Sequence, residues 1–416
     1  MNFPAYTTHD PAVPVWCVTP DIDGCIHRFF DTCPFSPSGR YLAAFRIPDE
    51  TRMPEPGEAG EIVVVDLQAG DVRVVATTRG WEPQMGANLN WGPDDDTLIY
   101  NDLDVDTWQP YGVRLDWTTG KADRLEGTVY HVSPDGRWAV SASMDRMCRT
   151  QLGYGVTLPE DRVPRNLGAR DDDGLWITDI DTGRRKLLLS LCDAAGVCPN
   201  LATDTDKWEI YGFHSKFNNQ GDRLIFTIRA FPVDGPKRFN AISGGGLTFN
   251  VLTLRPDGSE LTNAVPAEHW KHGGHHINFF SQGDMLSMNL GIHGREKGMF
   301  FCQCGVDGSA LGTMLESVPG SGHPTIHPNG RHILTDSYAQ EPVAYGDGSV
   351  PLRLVDRQSG EDRHIVRMMV EPGELPHRAM RVDPHPAWDR EWRRVAFNGF
   401  ADGTRRVYVA DLGEVV

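Results

Sequence analysis

Four histidines in this chain stand at one repeated distance from a turn. The segments FNNQGDRLIFT, FFSQGDMLSMN, IHPNGRHILTD and WDREWRRVAFN begin at Phe217, Phe279, Ile326 and Trp388. Taking the second residue of each as the first turn position, four residues back lie His214, His276, His323 and His385. A lone histidine is usually a packing or surface residue. Chance placement of four from a set of 15 at consecutive equivalent positions is improbable. His275, Asn278, His327, Arg381 and Asp383 add polar groups close by in sequence. Imidazoles beside a carboxylate suit zinc or manganese, whereas calcium prefers a shell of oxygens. A divalent metal is therefore expected among these residues.

A second set points to an anion. Tyr130 precedes Arg146 by 16 residues, and Arg149 follows shortly after. A hairpin returns the chain on that scale, so phenol and guanidinium can face the same side. Guanidinium stays charged and grips carboxylates with two parallel hydrogen bonds. The ligand expected there is anionic.

Such residues need a scaffold that repeats. Three further segments share the turn pattern: FSPSGRYLAAF from Phe35, WGPDDDTLIYN from Trp91 and VSPDGRWAVSA from Val132. In turns of the S-P-D-G kind, proline presets φ and glycine accepts the positive φ that closes the turn. Each segment except the last is followed by a second hairpin, as in VVVDLQAGDVRVV or LRLVDRQSGEDRHIV. Seven repeats of four strands predict an all-β, seven-bladed β-propeller, a single domain over residues 1–416. The last repeat ends in RRVYVADL with room for three strands. A strand near Val13–Thr19 is expected to complete it and leave no open edge. In a propeller the first strands line a channel, so the four imidazoles should converge at one mouth. Insertions at 146–173, 191–208 and 231–247 are expected to be binding loops.

Composition narrows the function. The 416 residues carry 57 acidic and 40 basic side chains, a formal charge of −17, which repels nucleic acid and anionic membrane. No apolar run is long enough to cross a membrane as a helix. The opening MNFPAYTTHDPAVPVWCVTP lacks a basic n-region and is rich in proline, unlike a secretory signal. Eight cysteines without paired C-x-x-C spacing read as free thiols in a reducing cytoplasm. Cys302 and Cys304 fit alternation along a strand.

At IHRFFDTCPFSPSGRYLA, GHHINFFSQGDMLSMNL, GHPTIHPNGRHILTD and DPHPAWDREWRRVAFNG the chain resembles the seven-bladed propeller polysaccharide lyases. These are the oligogalacturonate, ulvan and rhamnose–glucuronate lyases. The resemblance implies a divalent ion, manganese before zinc or calcium, at His276, His323, Asp383 and His385. The family's H-P-H pattern reads Asp383-Pro384-His385 here, and no matching glutamine stands upstream. Tyr130, Arg146 and Gly153-Tyr154-Gly155 look like the Tyr, Arg and Gly-Tyr-Gly of the ulvan type. The histidines those enzymes take from the preceding blade are missing, since none occurs between His27 and His131.

The implied reaction is metal-assisted β-elimination on an acidic oligosaccharide. His214 or deprotonated Tyr130 would remove the C5 proton of a uronic acid, and Tyr130 or water would protonate the leaving oxygen. Arg146, Arg149 or the metal would neutralise the carboxylate, with Arg149 and His275 as substrate contacts. Two alternatives stay open: a rhamnosidase-like glycoside hydrolase on the same scaffold, and a propeller that only binds.

Overall fold

The computed structural model describes residues 1–201, 207–233 and 246–416. Seven four-stranded antiparallel sheets make up the chain, a β-propeller. It divides into two compact units. One comprises Met1–Tyr100, Leu115–Ala122 and Ser321–Val416; the other comprises Asn101–Arg114 and Asp123–Gly320. The sheets are numbered in chain order by their first strands, Cys25–Ile26, Asn90–Trp91, His131–Val132, Trp208–Phe217, Gly274–Phe279, Thr325–Ile326 and Ala387–Trp388. Sheets 1, 6 and 7 belong to the first unit and sheets 3, 4 and 5 to the second. Sheet 2, with strands Asn90–Trp91, Thr97–Asp104, Gln109–Asp116 and Lys121–Leu125, contributes residues to both.

In the first unit, sheet 7 is closed as the sequence predicts. Val15–Cys17 pairs antiparallel with Thr404–Asp411, matching Val15 to Ala410 and Cys17 to Tyr408. The N-terminal strand thus covers an edge that would otherwise present unpaired amides. Within sheet 1, Ile62, Val63, Val64 and Val65 are all buried, so this third strand has neighbours on both faces. The fourth strand, Asp71–Thr78, is largely exposed. Leu334, Leu352, Leu354 and Met368 of sheet 6 pack with Trp388, Val395, Phe397 and Tyr408 of sheet 7 in one apolar cluster. Two turns of this unit repeat one device. Arg40 ion-pairs Asp66, and Arg331 ion-pairs Asp356. Each aspartate also accepts backbone amides of its own turn, Gln68 and Ala69 in one case, Gln358 and Ser359 in the other.

In the second unit, Phe249, Val251 and Val265 of sheet 4 pack with Phe279, Leu286, Met288, Cys302 and Cys304 of sheet 5. Burial raises both thiols to about 12, so they behave as small apolar groups. The first strands of sheets 4 and 5 carry matching irregularities, one between Gly212 and Ser215 and one between His275 and Asn278. In each, two residues oppose one, the signature of a β-bulge, which re-aims side chains. His214 lies in the first bulge and His276 in the second. The expected binding loops at 191–208 and 231–247 fall partly outside the described residues.

Two outcomes follow for the first unit. Phe397 is fully buried, and its ring stacks at 5.5 Å on Tyr408. Phe397→Ala is expected to destabilise the protein by about 3–5 kcal/mol in urea unfolding. The hydrogen bonds from Arg40 lower the Asp66 pKa from 3.8 to about 2. A depressed carboxylate pKa adds stability that is full above the unfolded value and is lost as pH falls through the folded one. The slope of stability between pH 4 and 2 is therefore expected to flatten in Asp66→Asn, as read by urea midpoints across that range.

Candidate active site

The first unit gathers three of the four expected metal ligands. One ligand atom each of His323, Asp383 and His385 lies within 4.8 Å of the others, and all three residues are buried. The two imidazoles meet nearly at right angles, with centroids 4.4 Å apart. Asp383 Oδ2 accepts from Arg381 Nε at 2.8 Å and lies 3.7 Å from His385 Nε2. Beside them sits Asp336, fully buried, which accepts from His323 N at 2.7 Å and His385 N at 3.1 Å. The same carboxylate stands 2.8 and 3.0 Å from His323 Nδ1. A carboxylate only accepts, so the ring hydrogen sits on Nδ1 and the lone pair on Nε2. This is the arrangement by which an outer carboxylate orients a ligating imidazole.

Burial and the neighbouring His323 lower the pKa of His385, against the pull of Asp383, which keeps the ring neutral at physiological pH. Burial pushes the Asp383 carboxyl up, but Arg381 and the two histidines more than offset it and hold the group ionised. Neutral imidazole and ionised carboxylate are the forms that bind a metal. Among the described residues neither ring nitrogen of His385 has a hydrogen-bond partner, although both are buried. A buried polar group left in that state costs stability unless something else occupies its lone pair. The donor set fits a divalent cation.

His27, Phe29 and Phe30 wall this cluster. Phe29 packs edge-on against His385 at 4.5 Å and His323 at 5.5 Å, while Phe30 lies 5.2 Å from His323. Burial lowers the His27 pKa to about 3, and its Nε2 lies 3.3 Å from Pro384 O. The backbone is held in an uncommon shape at His385, whose φ is 49°. Asn88 (54°) and His276 (60°) occupy the same position relative to their turns and share that left-handed conformation.

In the second unit, His276 stands beside His275, with rings 4.2 Å apart and Nδ1 atoms separated by 2.6 Å. Asn289 Nδ2 approaches His275 Nδ1 at 3.3 Å. The bulge is braced from the neighbouring sheet by Lys216, a buried lysine whose Nζ donates to Ile277 O at 2.8 Å.

The same unit brings His214 to Tyr130, with ring centroids 5.0 Å apart. Tyr154 adds a second phenol 5.7 Å from His214. Arg146 is engaged elsewhere. It donates to both oxygens of Asp145 at 3.1 and 3.2 Å and to Asn166 Oδ1 at 2.8 Å, and it lies 3.5 Å from Asp173. Two carboxylates already balance its charge. Arg149 donates to Val163 O at 2.8 Å. Arg229, buried on the second strand of sheet 4, has its guanidinium 3.4 Å from the centroid of the Phe213 ring and Nη1 2.8 Å from Gln151 Oε1. Burial lowers its pKa to about 9, which leaves it protonated at neutral pH.

Asp336, His27, Phe29, Phe30 and Arg229 were not singled out as functional in the sequence. Asp336 left a readable trace: it follows His323 by 13 residues, the span that returns a hairpin to its start. Asn101, Asn289 and Asn398 follow Asn88, His276 and His385 at the same interval. Arg229 left none, because only folding distinguishes it from its many paired counterparts.

No family model matches the chain, and no curated protein matches its sequence. Among solved structures it is similar to an oligogalacturonate lyase in complex with manganese, at 15% identity and a TM-score of 0.64, covering 99% of this chain and 96% of that one. An oligogalacturonate lyase from Vibrio parahaemolyticus gives 14% identity and a TM-score of 0.65, with 99% and 97% covered. The β-propeller domain of the trilobed protease from Pyrococcus furiosus also matches, at 12% identity and a TM-score of 0.50 over 92% and 96%. At these identities the likeness establishes the propeller fold, which proteins of different activity share.

Asp336→Ala would strand two buried amides and one imidazole N–H. Each stranded group costs about 1–3 kcal/mol. The variant is expected to unfold at markedly lower urea than Asp336→Asn, whose amide oxygen keeps one acceptor in place.

Proposed function

We propose that the protein is a lyase that cleaves an acidic, uronic-acid-containing oligosaccharide by β-elimination. The observation that carries this reading is the buried trio His323, Asp383 and His385, set in a fold shared along 99% of the chain with a manganese-bound oligogalacturonate lyase. His323, Asp383 and His385 would hold a divalent cation, manganese before zinc or calcium. His276 is kept in the proposed ligand set because it shares with His385 both register and left-handed backbone. An ion held there would supply positive charge that favours an acidic ligand.

The chain's own residues account for the proton transfers. His214 removes the proton from C5; the C5–H electrons form the C4–C5 double bond, and the C4–O bond breaks toward the departing sugar. Tyr130, 5.0 Å from His214 between ring centroids, donates its phenolic proton to that oxygen. His275 and Arg149 are assigned to substrate contacts. Arg146 is tied to Asp145 and Asp173.

None of the eight cysteines is in a disulfide, which supports a reducing cytoplasm. No helix of the described residues is long and apolar enough to cross a membrane. We treat residues 1–416 as one working domain, with no role for nucleic acid or membrane.

Purified protein is expected to retain manganese, and His323→Ala and His385→Ala to lose it, as measured by elemental analysis. With digalacturonate or longer acidic oligomers, the ultraviolet absorbance of an unsaturated uronate should rise. His214→Ala and Tyr130→Phe should each lower kcat by about 100-fold or more. Release of reducing ends without that absorbance would instead establish a hydrolase.

A further inference from the structure

We infer that Arg229 is the residue that receives the carboxylate of the acidic sugar, with Tyr154 and Gln151 beside it. This assignment rests on the lyase reading for the identity of the anion, but on the structure alone for the missing counter-charge. Arg229 sits in Leu224–Pro232, opposite Tyr211 on one side and Phe249 on the other. Its exposure is 7%. The guanidinium lies against two aromatic rings, 3.4 Å from the centroid of Phe213 and 4.8 Å from that of Phe249. Among the described residues its one hydrogen bond runs from Nη1 to Gln151 Oε1, a neutral acceptor, and Nε is buried with no partner.

Three other buried arginines are balanced: Arg353 pairs Asp362, Arg405 pairs Glu50 and Arg406 pairs Asp23, and the half-buried Arg146 has Asp145 and Asp173. Among the described residues Arg229 has no carboxylate partner. A desolvated cation without an anion lowers the stability of the fold, a penalty that pairing would offset. Aromatic faces recover a fraction of it. A residue held at that cost for packing alone would be better replaced by methionine.

Its place in the site is specific. The Phe213 ring that carries Arg229 stacks at 3.8 Å on His214. Tyr130 and Tyr154 both lie against His214, at 5.0 and 5.7 Å between ring centroids. A carboxylate held by the Nε and Nη edge would therefore stand in the same aromatic nest as the proposed base. Bidentate neutralisation there makes the adjacent C–H more acidic, as elimination requires.

The test uses Arg229→Met and Arg229→Lys in the full chain, with digalacturonate and its methyl ester as probes in calorimetry. Arg229→Met should bind the acid about tenfold or more weakly, bind the ester like wild type, and unfold at a higher temperature than wild type. Arg229→Lys, which keeps charge without the planar fork, should fall between them. A Met variant that unfolds at lower temperature, or that binds the acid as tightly as wild type, overturns the assignment and leaves the lyase reading intact. If wild type binds neither probe, the lyase reading fails. A raised unfolding temperature in the Met variant would then still support Arg229 as the receptor of another anion.

Discussion

One kind of buried hydrogen bond sets the register of the sheets against each other, and the candidate sites depend on it. Apolar packing between sheets is strong but non-directional, so it cannot fix where one first strand stops relative to the next. A polar side chain on or just after the second strand does so. Asn101 donates to Val129 O and accepts from Val129 N, at 2.8 and 2.7 Å. Asn398 accepts from His27 N at 2.8 Å and donates to Asp383 O at 3.2 Å. Asp336 faces only donors: two backbone amides and an imidazole N–H. The residue type follows the partners. Amide side chains, with one donor and one acceptor, sit where the partners are mixed, and a carboxylate sits where every partner donates. Asp336 therefore does two things with one group. It locks His385 to the preceding sheet, and it sets the tautomer of His323.

That lock also makes sense of the backbone at His385. A left-handed non-glycine residue costs about 1–2 kcal/mol. Glycine would relieve the strain at Asn88, His276 and His385 alike, yet none of the three positions is glycine. Asn88 supplies the reason in its own case, since its side chain donates to Glu82 Oε1 at 2.7 Å. At His385 the amide is tied to Asp336 and the ring is walled by Phe29, so the strain is offset by contacts on both sides of the residue. The strained shape delivers the imidazole to Asp383 and His323.

The architecture was legible because it is written in local chemistry. Seven S-P-D-G-like turns fix seven hairpins, and the missing strand of the last repeat pointed to Val13–Thr19, within which Val15–Cys17 pairs. The trio at His323, Asp383 and His385 was legible for the same reason, since register is local information repeated. What escaped was long-range pairing. Nothing in the order of residues marks that Asp173, far along an insertion, would share Arg146 with Asp145. Nothing marks that Arg229 would find neither. His27, Phe29 and Phe30 were visible as a motif without a task, because a wall is defined by what it faces.

The electrostatics of an acidic protein proposed to take an acidic ligand turn on the same distinction. Its formal charge of −17 belongs largely to exposed side chains. At physiological salt their influence fades over about 8 Å. Many of its arginines are spent on aspartates and glutamates of their own turns and strands, as with Arg40, Arg331 and Arg353. An anion approaching such a surface meets screened repulsion and neutralised cations. A guanidinium enclosed between Phe213 and Phe249 is screened far less, because neither water nor salt reaches it freely. Local attraction in a low-dielectric nest can thus exceed the net repulsion of the whole surface. The sign of the total charge says little about the sign of the ligand.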